Sequence, residues 1–465
     1  MTGEWKAAAA WGWVAGVALV SLSGCLRSER ECVVSADCVT GEQCLGGLCE
    51  FQAVVTPDTG ADASNEPDVG DRPDVGDRPD AGDEPDQGGT TCTEGKVACA
   101  TDCCEPAVTP QAGLIETDGD TGNEPSLAFA PNGTPYIAYR HVSDDGVDTL
   151  RMRWWDGNRW RPEFPPMDED AGILQYGRQP KMMFDGDGHV NIVHLAQKNE
   201  SDLILSTELT GNGWENKRVY EGDGPVAWTA AMAPRGTELG VAYALAGASD
   251  EEPSSMWYTS EDRDGSWDID PRVNEGGRIT NMSMVFDREA PLLLHMSEGV
   301  NSWAAGLYEQ REAAGGWSGP NKVFLPEDKT LGTVSKVAMG PDGTAHALAW
   351  EPEVRFLMHA TSDGASWAKA GVLSQSSNLS QFDITVDALG RPHIVFVRAN
   401  GQISEMKYAT LVDGEWDNLS LSVGGRPAHP TIALDSEGHP HVAYYEDEGR
   451  NLAYVYFDGD EWVTR

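Results

Sequence analysis

The phrase Val386-Asp387-Ala388-Leu389-Gly390-Arg391-Pro392-His393-Ile394-Val395 returns in pattern as Leu434-Asp435-Ser436-Glu437-Gly438-His439-Pro440-His441-Val442-Ala443. Each copy reads as the end of an apolar strand, a turn carrying glycine, and the start of a second apolar strand. The turn glycine also stands at Gly133, Gly188, Gly236 and Gly343, while the fourth repeat has Ala290 there. Outward from these turns, a second phrase closes each repeat. Trp160, Trp214, Trp267, Trp317, Trp367, Trp416 and Trp462 follow one another at steps of 54, 53, 50, 50, 49 and 46 residues. Most are preceded by a tight-turn pair, as in Asp156-Gly157, Asp413-Gly414 and Asp458-Gly459.

Each period holds four short runs that alternate or are apolar throughout; in the last they are 430–435, 440–445, 451–457 and from 461 onward. One four-stranded unit cannot bury both faces of its sheet, but seven arranged around an axis can. The expected fold is all-β, a seven-bladed β-propeller of four-stranded antiparallel blades over residues 107–465. Period-2 patterning and frequent glycine exclude a helical solenoid. Trp462 lies three residues before Arg465, so the last outer strand is expected to be short. Residues 113–117 are expected to complete that blade and close the ring, which removes exposed sheet edges.

The N-terminal quarter has a different character. Lys6 precedes an uncharged apolar run, 7–20, shorter than the roughly 20 residues that span a bilayer. It ends in Leu22-Ser23-Gly24-Cys25, which resembles a bacterial lipobox. That resemblance implies a signal peptide over 1–24 and acylation of Cys25, with the outer membrane or cell surface as address because Leu26 follows it. Eight further cysteines form two groups: Cys32, Cys38, Cys44 and Cys49 within 25–51, and Cys92, Cys99, Cys103 and Cys104 within 92–106. Even, clustered cysteines in an exported chain read as disulfides whose connectivity the spacing leaves open. Between the groups, 52–91 is an acidic Pro/Asp/Gly-rich linker, expected to be disordered and extended by its like charges.

With 33 Lys and Arg against 75 Asp and Glu, the formal net charge is −42, which argues against nucleic acid as a partner. The remaining partners are a membrane, through Cys25, and an extracellular protein or glycan at the loop face.

The segments Thr361-Ser362-Asp363-Gly364-Ala365-Ser366-Trp367 and Ser260-Glu261-Asp262-Arg263-Asp264-Gly265-Ser266-Trp267 resemble degenerate Asp-box hairpins of the bacterial neuraminidase repeat. The resemblance covers 125–465 at the level of blade architecture. It implies that the box is structural and that its tryptophan packs between blades. It also directs attention to arginines on one face, since sialidases of this architecture bind a carboxylate with three of them.

Candidate residues on that face are Arg140, His141, Tyr176, Arg178, Arg278 and Arg426, with Arg398 on another blade. Acids of the same face, such as Asp144, Asp145, Glu251 and Glu252, offer the arginines ordinary ion-pair partners. No nucleophile pair can be assigned, and paired carboxylates cannot be picked from so many acids. Asp118 and Asp120, in Asp118-Gly119-Asp120-Thr121-Gly122-Asn123-Glu124, resemble a short calcium loop without the terminal spacing of an EF-hand. Paired occurrence of His393 with His441, and of His194 with His295, follows from repeat equivalence. The expected function is an envelope-anchored binding or scaffold module without catalysis. The alternative is a surface polysaccharide-cleaving enzyme, a sialidase-like hydrolase or a polysaccharide lyase, which Tyr139-Arg140-His141 favours.

Overall fold

The computed structural model describes residues 110–464 with short internal interruptions, and the short strands Glu42–Leu45, Leu48–Phe51, Val97–Ala98 and Cys103–Cys104. The chain divides into two units, Met1–Asp86 and Gln87–Arg465. In the first, Glu42–Leu45 pairs antiparallel with Leu48–Phe51, setting Cys44 opposite Cys49. In the second, Val97–Ala98 pairs with Cys103–Cys104. The signal segment, Cys25 and the 52–91 linker lie outside the described residues, as do Cys32, Cys38, Cys92 and Cys99.

Seven antiparallel sheets follow, each running in sequence order from an inner to an outer strand. The inner strands of blades 1 to 7 are Asp120–Phe129, Ile173–Phe184, Val226–Arg235, Arg278–Asp287, Ser335–Met339, Phe382–Val386 and Pro427–Leu434. Each inner strand packs against that of the next blade, and the seventh packs against the first, so the ring is closed. All described elements are strands.

Closure occurs as the sequence suggests. The outer strand of blade 7 is only Trp462–Val463, paired with the third strand, Asn451–Phe457. The strand Gly113–Glu116 pairs with the other half of that third strand, placing Gly113 opposite Tyr454 and Glu116 opposite Leu452. The blade is thus assembled from both ends of the domain.

The tryptophans hold the blades together. Seven apolar clusters each join one blade to the one before it. Trp160 packs edge-on to Tyr454 of blade 7, their ring centroids 4.9 Å apart. Trp462 of blade 7 in turn meets Tyr408 of blade 6 at 5.0 Å. The indole N–H groups reach across the same seams: Trp214 donates to Glu163 at 3.2 Å and Trp367 to Glu309 at 2.7 Å. In blades 1 and 7 the hairpin ahead of the tryptophan satisfies its own backbone. Asp156 accepts from the Asn158 and Arg159 N–H groups at 2.8 and 2.7 Å, and Asp458 from those of Asp460 and Glu461 at 2.9 and 2.8 Å.

The turns between first and second strands use a second device. In blades 6 and 7 the turn aspartate accepts backbone N–H groups of its own turn and also faces a buried histidine. Asp387 lies 3.3 Å from His393, whose other nitrogen lies 2.6 Å from the Tyr408 hydroxyl. Asp435, His441 and Tyr454 repeat the arrangement. Blades 3 and 4 have a shorter connection, with Arg235 paired to Glu238 and Asp287 to Ala290, and in blade 4 Arg288 adopts a left-handed φ of 58°.

Candidate functional site at the channel mouth

The seven inner strands surround an axial cavity of about 450 Å³. At one level each strand contributes a polar residue: Ser126, Lys181, Thr229, Asn281, Lys336, Asp383 and Thr431. Most of this ring is used to tie blade to blade. The Ser126 hydroxyl accepts from Met182 N–H and the Thr229 hydroxyl from Met282 N–H, both at 2.9 Å. Asn281 accepts from Ser335 N–H at 2.9 Å. Asp383 accepts from Ile432 N–H at 3.1 Å and from the Thr431 hydroxyl at 3.0 Å. Such bonds satisfy inner-edge N–H groups that no further strand covers. An ammonium has nothing to accept with, so Lys181 and Lys336 stand outside this belt.

Above the ring the cavity opens into a mouth of about 370 Å³ lined by Glu124, Gln179, Lys181, Lys336, Gln381 and His429, among others. Its backbone is unusual at three places. Glu124, Gln179 and His429 have φ of 53°, 47° and 47°, the left-handed region that side chains with a Cβ rarely occupy. Each precedes a proline, and each marks a break in the pairing of its inner strand with the second strand. They belong to blades 1, 2 and 7, which are consecutive around the ring. Neighbouring blades hold two of these residues in place. The Glu124 carboxylate accepts from Gln179 N–H at 2.9 Å, and the Gln381 amide oxygen from His429 N–H at 3.0 Å.

The charges are distributed unevenly. Lys336 pairs with Asp383 at 3.3 Å. Among the described residues Lys181 makes no ion pair. The nearby charge of Lys336, followed by burial, pushes the Lys181 ammonium down to about 8, against the opposing pull of Asp383 and Glu124. Burial lowers His429, with Lys181 adding to the effect, so its imidazole is neutral at pH 7.

The residues singled out from sequence lie on five blades, and none of them is among the residues lining this mouth. Arg140, at the end of the second strand of blade 1, grips Asp148 through two nitrogens at 2.7 and 3.1 Å. Arg178 bonds to Gln175 at 2.7 Å, and both Glu124 and Arg140 act on its charge. Arg426 faces Asp447 at 3.5 Å on the surface, and Arg278 is exposed at the start of blade 4. Arg398 is exposed on the second strand of blade 6. Tyr176 is buried between blades 1 and 2, donating to the Pro166 carbonyl at 3.0 Å and packed on His194. His141 is buried behind Gly119, where any Cβ would meet the imidazole at 2.8 Å.

Asp118 and Asp120 face separate partners. Asp118 is exposed with Arg151 at 4.0 Å, and Asp120 accepts from the Tyr445 hydroxyl at 2.8 Å. Among the described residues Asp185, His189 and Glu208 could present three ligand atoms within 4.8 Å of one another. Glu208 is held there by Lys217 at 2.9 Å, and Asp185 caps its own turn, with His189 N–H at 2.9 Å. Asp435 and His439 repeat that turn in blade 7.

Sequence reading came within three residues of the mouth, at Arg178 and Arg426, but missed Glu124, Gln179, Lys181, Lys336, Asp383 and His429. A signal was present: Glu124-Pro125, Gln179-Pro180 and His429-Pro430 stand at equivalent places in three repeats.

No protein-family profile and no curated protein matches the chain. Solved structures resemble it in chain path. A leech intramolecular trans-sialidase aligns with a TM-score of 0.42 and 11% identity over 75% of this chain and 70% of its own. The intramolecular trans-sialidase of Ruminococcus gnavus gives 0.42 and 10% over 75% and 98%. An α-L-arabinofuranosidase from Fusarium graminearum gives 0.47 and 11% over 75% and 99%. Sialidases and other glycoside hydrolases are thus among the structural neighbours of this seven-bladed β-propeller. Likeness at this level carries no argument about activity.

Proposed function

We propose that the chain is an envelope-anchored binding protein whose propeller takes a polar, saccharide-sized group into the mouth of its axial channel. The observation that carries this reading is the run of left-handed backbone at Glu124, Gln179 and His429 in three consecutive blades, braced from neighbouring blades by Glu124 and Gln381. Backbone strain persists only where surroundings enforce it, and it concentrates where geometry is used for recognition. The cavity volume falls in the range of small-ligand sites, about 300–1,000 Å³. Hydroxyl, amide, ammonium and carboxylate groups around its wall suit a ligand rich in hydroxyls better than an apolar peptide side chain. The acylated Cys25 and the 52–91 linker would hold this mouth away from the membrane and free to reach extracellular glycan.

The test is calorimetric titration of the full-length chain in detergent with neutral and acidic oligosaccharides, followed by hydrogen exchange. Saturable binding should slow exchange in 122–127, 178–183 and 427–432. Absence of binding, or protection confined to other segments, would overturn the reading. Release of reducing ends or unsaturated products would replace it with the cleaving-enzyme reading.

A further inference from the structure

Resting on that reading, we infer that Lys181 and Lys336, facing across the axial cavity from blades 2 and 5, seat a carboxylate carried by the ligand, which is therefore an acidic saccharide. The inference starts from a count of charges at the mouth. Asp383 is compensated by Lys336 at 3.3 Å. Glu124 accepts from Gln179 N–H at 2.9 Å and acts on the charges of both Arg178 and Lys181. Lys181 remains, half-buried, with no carboxylate in ion-pair range among the described residues. An ammonium without an ion-pair partner thus stands inside the cavity of a chain whose formal net charge is −42, and its retention there calls for a specific use.

The geometry supplies a second argument. Lys181 and Lys336 occupy equivalent places in the ring, and of its seven members they alone carry side chains that cannot accept a hydrogen bond. Lys336 ties blade 5 to Asp383 of blade 6, whereas among the described residues Lys181 makes no such ion pair. Their proximity is costly, since the charge of Lys336 is what weighs most on Lys181. An anion between the two relieves that repulsion, and the low-dielectric walls strengthen the attraction. A carboxylate can bridge two ammonium groups with its two oxygens. The remaining groups facing Lys181 are Asp383, Glu124 and His429. Both carboxylates are already hydrogen-bonded as acceptors, and the imidazole is neutral, so none of them fills the seat.

The probes are trigalacturonate, the neutral trisaccharide maltotriose, and a glutamate-rich peptide, titrated into the full-length chain in detergent from pH 7 to 9.5. Trigalacturonate should bind at pH 7 and lose affinity as pH rises through about 8, because Lys181 then gives up its proton. Lys181→Met should weaken that binding about tenfold or more at pH 7 and leave it flat with pH. Lys181→Arg should keep the affinity and also flatten the profile. The wild-type profile needs no substitution, so it stands even where a variant fails to fold. Equal binding of maltotriose, a flat wild-type profile, or full affinity in folded Lys181→Met would overturn the carboxylate seat while leaving saccharide binding intact. Binding of the peptide alone would overturn the saccharide assignment. No binding of any probe would remove both this inference and the reading beneath it.

Discussion

Glu116, on the strand that closes the ring, places one carboxylate oxygen between Arg153 and Tyr139 of blade 1, with Arg153 Nε at 3.0 Å and the Tyr139 hydroxyl at 3.2 Å. The contact joins a strand of blade 7 to the second and third strands of blade 1 across the seam where the two ends of the domain meet. Glu116 and Tyr139 are buried, so the ion pair is shielded from solvent on that side.

Breaking this clasp should weaken the whole ring. Burial pushes the Glu116 carboxyl up, but the bonds from Arg153 and Tyr139 outweigh it, and the group ends below its ordinary value. Its contribution is therefore present above the usual glutamate range and fades as pH falls through the lowered value. Glu116→Gln should cost about 2 kcal/mol at pH 7, seen in denaturant midpoints. The gap between variant and wild type should narrow on acidification below pH 4.5. A gap independent of pH would show that the charge contributes nothing.

Buried histidines make acid a second source of instability. Burial lowers His194 to about 4, and His295 and His359 to about 3. Their unfolded forms take up protons near pH 6.5, so the stability they give is full above that value and is lost as pH falls toward 4. Three such groups steepen the loss by on the order of 4 kcal/mol per pH unit in that window. Replacing His295, which stacks on Tyr308 at 5.6 Å, with Phe should visibly flatten the melting temperature between pH 6 and 4. An unchanged slope would refute this assignment.

At the mouth, stability and recognition should pull apart. His429 holds a φ of 47°, and its N–H bond to Gln381 comes from the backbone and survives substitution. His429→Gly should therefore raise stability slightly, by up to about 1 kcal/mol, while weakening oligosaccharide binding several-fold. A variant that loses stability would show that the imidazole, rather than the backbone shape, holds this turn.

Asp383 offers the converse test. Asp383→Asn retains an acceptor for Ile432 N–H and the Thr431 hydroxyl but no longer compensates Lys336. Affinity for trigalacturonate should rise and melting temperature fall modestly. Calorimetry showing weaker binding would mean that Asp383 itself contacts the ligand.

How much of this was legible in the sequence depends on what each residue answers to. The tryptophans, the Asp-Gly turns and the closing strand at Gly113–Glu116 could be read because repetition exposes them: Trp160 and Trp462 do the same packing in different blades. The mouth could not be read in that way. Lys181, Lys336 and Asp383 occupy one repeat position and differ in charge, so the pattern locates the position without revealing its chemistry. Arg178 and Arg426 drew attention as cations, yet a break in strand pairing separates each from the axis and turns it toward Gln175 or Asp447. The proline after Glu124, Gln179 and His429 marks that break. In blades 3 and 4 the connection between first and second strands is two residues long, a change of length that neither Gly236 nor Ala290 announces.

The closing strand also determines how the domain meets mechanical load. Any pull arriving along the chain from its N-terminal side meets the Gln111 carbonyl, held by the Trp160 indole N–H at 2.9 Å, then Gly113, opposite Tyr454, before it reaches Glu116, opposite Leu452. The clasp to Arg153 thus lies at the inner end of the loaded strand, as a catch that peeling must reach last. Once it yields, the third strand of blade 7 loses its cover and the seam between first and last blades is open. Loaded from that side, the domain would open at this seam, and the Glu116 clasp would be the last contact of the strand to give.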